Sequence, residues 1–167
     1  MSSEDSQDRF VALLDEHRKI LYKVAGAYGR SPEDRQDLVQ EMTAQLWRSF
    51  ERYDERFRFS TWMYRIALNV AISFVRRETV RARHAAPPPI LEVAAEASAS
   101  APGDADLRLL DGFLRRLDEL DRALLLLYLD GNRHDAIAEV LGISESNVGT
   151  KLGRIKQRLR RDLADNV

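Results

Sequence analysis

The sequence predicts an all-α protein: two small helical domains joined by a flexible linker, the C-terminal one carrying a helix-turn-helix. Three observations lead there. Apolar residues recur at helical spacing along nearly the whole chain. That recurrence stops across residues 84–106, a stretch rich in Ala, Ser and Pro that includes Pro87, Pro88 and Pro89 in succession. Beyond it, two apolar stripes flank Gly142, a residue tolerant of the backbone that a tight turn between helices demands. The bounds that follow are 1–83 for the N-terminal domain, 84–106 for the linker and 107–167 for the C-terminal domain. A structureless run of that length is too long for a loop inside one compact domain.

Each element has its own signal. Phe10, Leu13, Leu14, His17, Ile20, Leu21, Val24 and Tyr28 keep helical spacing, and Gly29 is a plausible stop. Ser31-Pro32-Glu33-Asp34 is a start: a capping serine, proline at the first helical position, then acids in the first turn. The helix it opens carries Leu38, Met42, Leu46 and Phe50 on one face and Asp34, Asp37, Gln40, Glu41 and Gln45 elsewhere. Residues 51–59 are charged and aromatic without a period and read as a loop, with Ser60 placed to cap the next helix. After the linker, Leu107, Leu110, Phe113, Leu114 and Leu117 form one apolar face. Asp121 is placed to cap a helix over Arg122–Leu129, which is apolar nearly all round and so belongs at the centre of its domain.

Composition bounds the functional classes. The 167 residues are 44% apolar and 32% charged, as in a globular protein with an excess of charge. A net charge of −1 gives no global basic signal, so any nucleic-acid signal has to be local. The absence of cysteine rules out disulfides, thiol catalysis and cysteine-ligated zinc. The acidic start, Met1-Ser2-Ser3-Glu4-Asp5-Ser6, is no secretory signal. No stretch approaches the roughly 18 apolar residues of a membrane span. The expectation is a cytoplasmic protein without membrane insertion.

Two constellations stand out. On a helix, the run from Phe59 to Arg77 sorts into two faces. Met63, Ile66, Ala67, Val70 and Phe74 make a core stripe, while Trp62, Arg65, Asn69, Ser73 and Arg76 make a second stripe. The second combines an aromatic plane, an amide and guanidinium groups. These are the parts that stack on unpaired bases, bond base edges and hold phosphates, a combination suited to single-stranded nucleic acid. The bland alternative is an amphipathic helix with Trp62 as a half-buried anchor.

The second constellation spans His134 to Arg161. Ala136, Ile137, Ala138, Val140 and Leu141 form a short helix, Gly142 turns, Ile143 plugs the core and Ser144 caps a second helix with Val148, Leu152, Ile155 and Leu159 inward. Its exposed face carries Asn147, Lys151, Arg154 and Arg158, with Lys156, Arg160 and Arg161 nearby. Basic groups of this kind contact phosphates, and the N-terminal residues of such a helix enter the major groove. The alternative is a helical hairpin with a solvated basic face.

With both in place, the chain resembles the extracytoplasmic-function (ECF) sigma factors of bacterial RNA polymerase. The resemblance covers about Phe10 to Leu163 without the linker. It rests on Asp37-Leu38-Val39-Gln40-Glu41, Leu46-Trp47-Arg48, Phe59 through Asn69 and Arg76-Arg77 in the first domain. In the second it rests on Leu127 through Gly131, Ile137 through Ser144, Asn147-Val148 and Arg154. The resemblance implies that Asp37, Gln40, Glu41 and Trp47 dock on core RNA polymerase. It implies that Trp62, Arg65, Asn69, Ser73, Arg76 and Arg77 recognise and help melt the minus-ten promoter element. It implies that Ser144, Asn147, Thr150, Lys151, Arg154 and Arg158 read the minus-thirty-five element as duplex. It further implies an anti-sigma factor as a partner, alongside core polymerase and promoter DNA, and no cofactor. The chain departs from the family pattern at Asp121, Ala136, Gly149 and Ser73, changes that bear on promoter sequence and affinity rather than on fold.

Two other classes compete. A free-standing helix-turn-helix regulator that does not bind core polymerase would use the same C-terminal motif, but has no need of the Trp62 face or the Asp37–Trp47 block. An enzyme would draw on Asp15-Glu16-His17, Glu33-Asp34 or Asp54-Glu55. These carboxylates fall on predicted surfaces, the histidines His17, His84 and His134 are scattered, and neither metal spacing nor a glycine-rich phosphate loop is present. The chain is therefore read as neither an enzyme nor a metal-binding protein.

Overall fold

A computed structural model describes residues 2–84 and 104–165. The linker expected over 84–106 falls largely outside the described residues. Those residues form seven α-helices and one 3-10 turn, with no strand among them. The helices are α1 (Ser3–Tyr28), α2 (Pro32–Ser49), α3 (Phe59–His84), α4 (Asp104–Arg116), α5 (Glu119–Leu129), α6 (His134–Leu141) and α7 (Glu145–Asp165).

The first three pack on one another around Val24, Leu38, Met42, Leu46, Met63 and Ala67, all fully or almost fully buried. Helix α1 begins two turns before its apolar stripe, because Ser2 and Asp5 close a capping box: Ser2 Oγ accepts from Asp5 N at 3.2 Å, and Ser2 N donates back to Asp5 Oδ2 at 3.2 Å. Ser31 caps α2 through Asp34 N at 3.1 Å, with Pro32 at the first helical position as its fixed φ favours. Between α1 and α2 the chain reverses in three residues. Gly29 is needed there for space, since a Cβ would sit 2.8 Å from Arg35 Cγ and 2.9 Å from Ala25 O.

Residues 50–52 wind one 3-10 turn in the segment expected to be a loop. Helix α3 starts at Phe59, two residues earlier than a Ser60 cap implies, with Trp62 N donating to Arg58 O at 3.2 Å. It runs unbroken to His84.

In the C-terminal half, α5 is central as its composition predicts. Ala123 through Leu127 are all buried, and α5 touches α1, α3, α4, α6 and α7. Its cap is Asp118 rather than Asp121: Asp118 Oδ1 accepts from Asp121 N at 2.8 Å. Either aspartate can cap, and the earlier one captures three more residues for the helix. Leu107, expected on the apolar face of α4, is 65% exposed, because burial begins only toward the end of α4, at Phe113 and Leu114, and continues at Leu117 just beyond it. Gly142 ends α6 with φ +69°, a left-handed conformation costly for any residue with a Cβ, and its N–H closes on Ala138 O at 2.9 Å. Ser144 Oγ then accepts from Asn147 N at 3.1 Å to start α7.

The two halves pack together. α1 meets α4 and α5, and α3 meets α5 and α6. Tyr28 Oη donates to Glu119 O at 2.7 Å, and Arg122 Nη1 donates to Ala27 O at 3.2 Å. The Asp130 carboxylate accepts from Tyr64 Oη on α3 and pairs with Lys23 on α1.

Candidate nucleic-acid interface

Helix α3 has three longitudinal faces. Met63, Ala67 and Val70 are buried against α1 and α2, with Ile66 and Phe74 half-buried beside them. Tyr64, Leu68 and Ala71 form a second buried face, spaced i, i+4, i+7. The remaining stripe is the one singled out for nucleic acid. Arg65, Asn69, Ser73, Arg76 and Arg77 are exposed, and Trp62 is half-buried. The helix thus gathers all six along one side.

Trp62 leans into a set of aromatic rings. Its ring centre lies 5.0 Å from that of Tyr53 and 5.3 Å from that of Phe59. The same side chain lines a cavity of about 290 Å³ with Arg52, Thr61 and Arg65. The aromatic neighbours hold the indole in place, and its ring also lines a cavity shared by the guanidinium groups of Arg52 and Arg65 and the carboxylates of Asp54 and Glu139. Fixing the ring this way lowers the ordering cost of stacking a base on it. Arg56 and Arg58 extend the basic rim along the loop before α3, where Arg56 is held by Asp54 at 2.6 Å. That ion pair keeps the exposed Asp54 carboxyl below its ordinary pKa. Helical periodicity does not single out these arginines, because a loop has no period to mark them.

Farther along α3, Arg77 donates to Glu41 on α2 at 3.2 and 3.3 Å, and Arg76 approaches Glu119 at 3.9 Å. Glu41 thus links the residues attributed to polymerase docking with those attributed to DNA. Asp37, Gln40, Glu41 and Trp47 are all exposed on α2. Trp47 is 42% exposed, its inner face against Phe10 at 5.1 Å. An indole seated this way presents a large, rigid apolar area to a partner.

On α7, Val148, Leu152 and Ile155 are buried, and Ser144, Asn147, Thr150, Arg154 and Arg158 are exposed. They are not equivalent. Lys151 is half-buried and lies 3.9 Å from Asp121, and the Arg158 guanidinium sits 6.0 Å from the centre of the Phe113 ring. Both turn toward a groove of about 650 Å³ between α7 and the α4–α5 junction. Arg154 lines the same groove, whereas Asn147 and Thr150 do not. Burial raises the Asp121 carboxyl pKa, as does neighbouring Asp118, with Lys151 and Arg158 opposing. No group of His, Asp or Glu among the described residues is arranged to hold a metal ion.

A helical bundle with an exposed aromatic and basic face, followed by a helix-turn-helix with a basic second helix, is the architecture of a DNA-binding protein. Region 2 of the sigma-70 family matches residues 13–81, and sigma-70 region 4 matches residues 107–159. The chain belongs to the sigma-70 family, in its ECF group: it is a sigma factor, which directs promoter-specific transcription. It is 24% identical over 170 residues to the ECF RNA polymerase sigma factor SigW of Bacillus subtilis, covering 95% of this chain and 91% of that one. It is 26% identical to the RNA polymerase sigma factor NccH of Alcaligenes xylosoxydans xylosoxydans, covering 95% and 88%. The fold is similar to CnrH bound to the cytosolic domain of CnrY, with a TM-score of 0.71, 22% identity and 96% and 91% coverage. It is equally similar to RpoE bound to the anti-sigma factor NepR from Bartonella quintana, with a TM-score of 0.72, 18% identity and 96% and 98% coverage.

Proposed function

We propose a division of labour along this sigma factor. Asp37, Gln40, Glu41 and Trp47 on α2 dock on core RNA polymerase. Trp62, Arg65, Asn69, Ser73, Arg76 and Arg77 on α3 capture the unpaired strand of the minus-ten element. Ser144, Asn147, Thr150, Lys151, Arg154 and Arg158 on α7 engage the minus-thirty-five duplex. The domains that carry these roles are 1–83 and 107–167, with 84–106 between them.

One observation carries the reading: Trp62 is braced by Tyr53 and Phe59 at the edge of a cavity lined by Arg52 and Arg65. Placing an aromatic plane beside guanidinium groups serves a base and its phosphate together. The surface on α2 is separate from it, which favours a protein that holds polymerase and DNA at once over a regulator that binds DNA alone. The protein acts by binding, without catalysis of its own, in the cytoplasm. Two structural neighbours are described as complexes with the CnrY cytosolic domain and with the anti-sigma factor NepR. By analogy, an anti-sigma factor holds this chain inactive by covering the α2 surface or lying between the halves.

The test is run-off transcription with purified bacterial core polymerase on a library of promoter fragments. Discrete start sites that require this protein support the assignment, and they give its promoter sequence. Stable duplex binding without association with core overturns it in favour of the free-standing regulator. For docking, Asp37→Lys combined with Gln40→Glu abolishes core binding; full retention removes α2 from that role.

A further inference from the structure

Helix α3 continues past the residues attributed to the unpaired strand. Wound at about 100° per residue, it sets Trp62, Arg65, Asn69, Ser73 and Arg76 within about 40° of one line along its surface. Val80 and Arg83 fall on the same line. The face therefore runs on for about two more turns. Every side chain from Arg76 to His84 is exposed. The extension is basic, since Glu78 is the only acid in α3, against Arg65, Arg76, Arg77, Arg81 and Arg83.

These arginines differ in what they already hold. Arg77 donates to Glu41, Arg76 approaches Glu119, and Arg81 pairs with Glu78 at 3.3 Å. Arg83 has no hydrogen-bond or ion-pair partner among the described residues. A cation in the last turn of a helix favours its dipole whichever way it points. Arg81 meets that need from the other side of the helix, two residues being about 200° of turn. The dipole does not ask that Arg83 stand in line with Trp62.

Along the axis, Arg83 lies about 10 Å beyond Arg76, at 1.5 Å per residue. That is the rise of about three base pairs of duplex. The chain beyond His84 leads to the domain assigned to the minus-thirty-five element, so this end of α3 is its upstream end. A strand captured at Trp62 rejoins its complement on that side.

We propose that Arg83 anchors duplex DNA: it holds a backbone phosphate of the DNA still paired just upstream of the minus-ten element. It thereby fixes the upstream edge of the melted region without reading its sequence. This rests on Trp62 and Arg65 forming the strand-capture face. Charge selects the occupant. Arg83 is an uncommitted cation, and its neighbour on the face, Val80, is 52% exposed and offers a base edge no hydrogen bond. Such a surface suits a phosphate rather than a base.

The test uses holoenzyme assembled from the full chain and purified core polymerase, with two fluorescein-labelled oligonucleotides. Both carry the non-template minus-ten strand of a promoter found by run-off transcription, and neither carries the minus-thirty-five element. One is single-stranded throughout. The other is forked, with about one helical turn of duplex upstream, roughly ten base pairs. On the fork, Arg83→Ala weakens binding several-fold and lowers the log–log salt slope by about one unit. On the single strand it changes neither. Arg83→Lys keeps the slope, Arg83→Gln loses it as alanine does, and Arg81→Ala matches wild type on both.

An unchanged slope on the fork overturns the proposal. An equal loss on both oligonucleotides also overturns it, because Arg83 then acts on the unpaired strand or through the fold. A loss from Arg81→Ala as large as that from Arg83→Ala does the same, since charge alone would suffice. Failure of the underlying reading looks different: Trp62→Ala then binds the single strand as wild type does, while a loss from Arg83→Ala on the fork alone still places Arg83 on duplex DNA. If Trp62→Ala weakens single-strand binding and Arg83→Ala leaves the fork unchanged, the capture face stands and only the anchor falls.

Discussion

The Arg122 guanidinium lies 5.0 Å from the centre of the Tyr28 ring, joining the start of α5 to the end of α1. It also donates to Leu114 O at 2.9 Å, Arg115 O at 3.2 Å, Leu117 O at 3.1 Å and Ala27 O at 3.2 Å. One planar cation satisfies carbonyls left over at the end of α4 and one near the end of α1. Leu114 O also accepts from Leu117 N at 3.2 Å; carbonyls at helix ends are the ones that helix geometry leaves short of partners.

Replacing Arg122 by Ala therefore destabilises the protein by about 2 kcal/mol, the loss of charged hydrogen bonds to partly buried carbonyls. Arg122→Lys recovers little of this, because an ammonium keeps the charge but not the fork of donors. Urea denaturation of both variants checks it. A lysine variant as stable as wild type would reduce the role of Arg122 to charge alone.

The pH dependence concerns Tyr28 and Tyr64. Burial, and for Tyr64 also the hydrogen bond to Asp130, pushes both phenols well above the usual tyrosine pKa of 10.0. The folded state then holds these protons above pH 10 where the unfolded state releases them. Stability is unaffected below that pH and falls as pH rises beyond it. Ultraviolet titration shows two phenols that ionise only as the helical signal is lost. Tyr28→Phe and Tyr64→Phe each remove one of them and flatten the alkaline loss of stability.

Trp62→Ala lowers promoter opening by the worth of one stacked base, about 1–3 kcal/mol, and leaves duplex minus-thirty-five binding nearly intact. Since Trp62 also packs on Tyr53 and Phe59, a thermal melt accompanies the assay. Equal loss in both DNA assays, tracking the loss of stability, would leave Trp62 with a structural role only.

On α7, Arg154→Ala reduces the salt dependence of duplex binding by about one unit of log–log slope, as for the loss of one phosphate contact. Lys151→Ala and Arg158→Ala reduce it less. Lys151 faces Asp121 and Arg158 lies over Phe113, so part of each charge is directed within the protein. Equal slopes for all three would show that both side chains swing out to the DNA.

Most of the helices, and the Ser31 and Ser144 caps, were legible because they depend on neighbours in sequence. Pro32 after Ser31, Gly142 before Ile143 and Ser144, and the alternation of Met63, Ala67 and Val70 with Trp62, Arg65 and Asn69 each act within a turn or two of helix. The pattern pointed to Asp121 as the cap of α5, and the structure uses Asp118, which stands one turn earlier and offers the same side chain.

The sequence by itself determined an all-helical chain of two parts, the stripe of Trp62, Arg65, Asn69, Ser73 and Arg76, and the basic helix after Gly142. These follow from helical period and turn chemistry, which a linear chain carries in full. Only the tertiary structure decided that Tyr64, Leu68 and Ala71 form a third face of α3, that Asp130 joins Tyr64 and Lys23, and that Glu139 lines the cavity beside Trp62. Asp130 is 107 residues from Lys23 and 66 from Tyr64. No local period registers such a pairing; it forms only when packed helices bring the groups together.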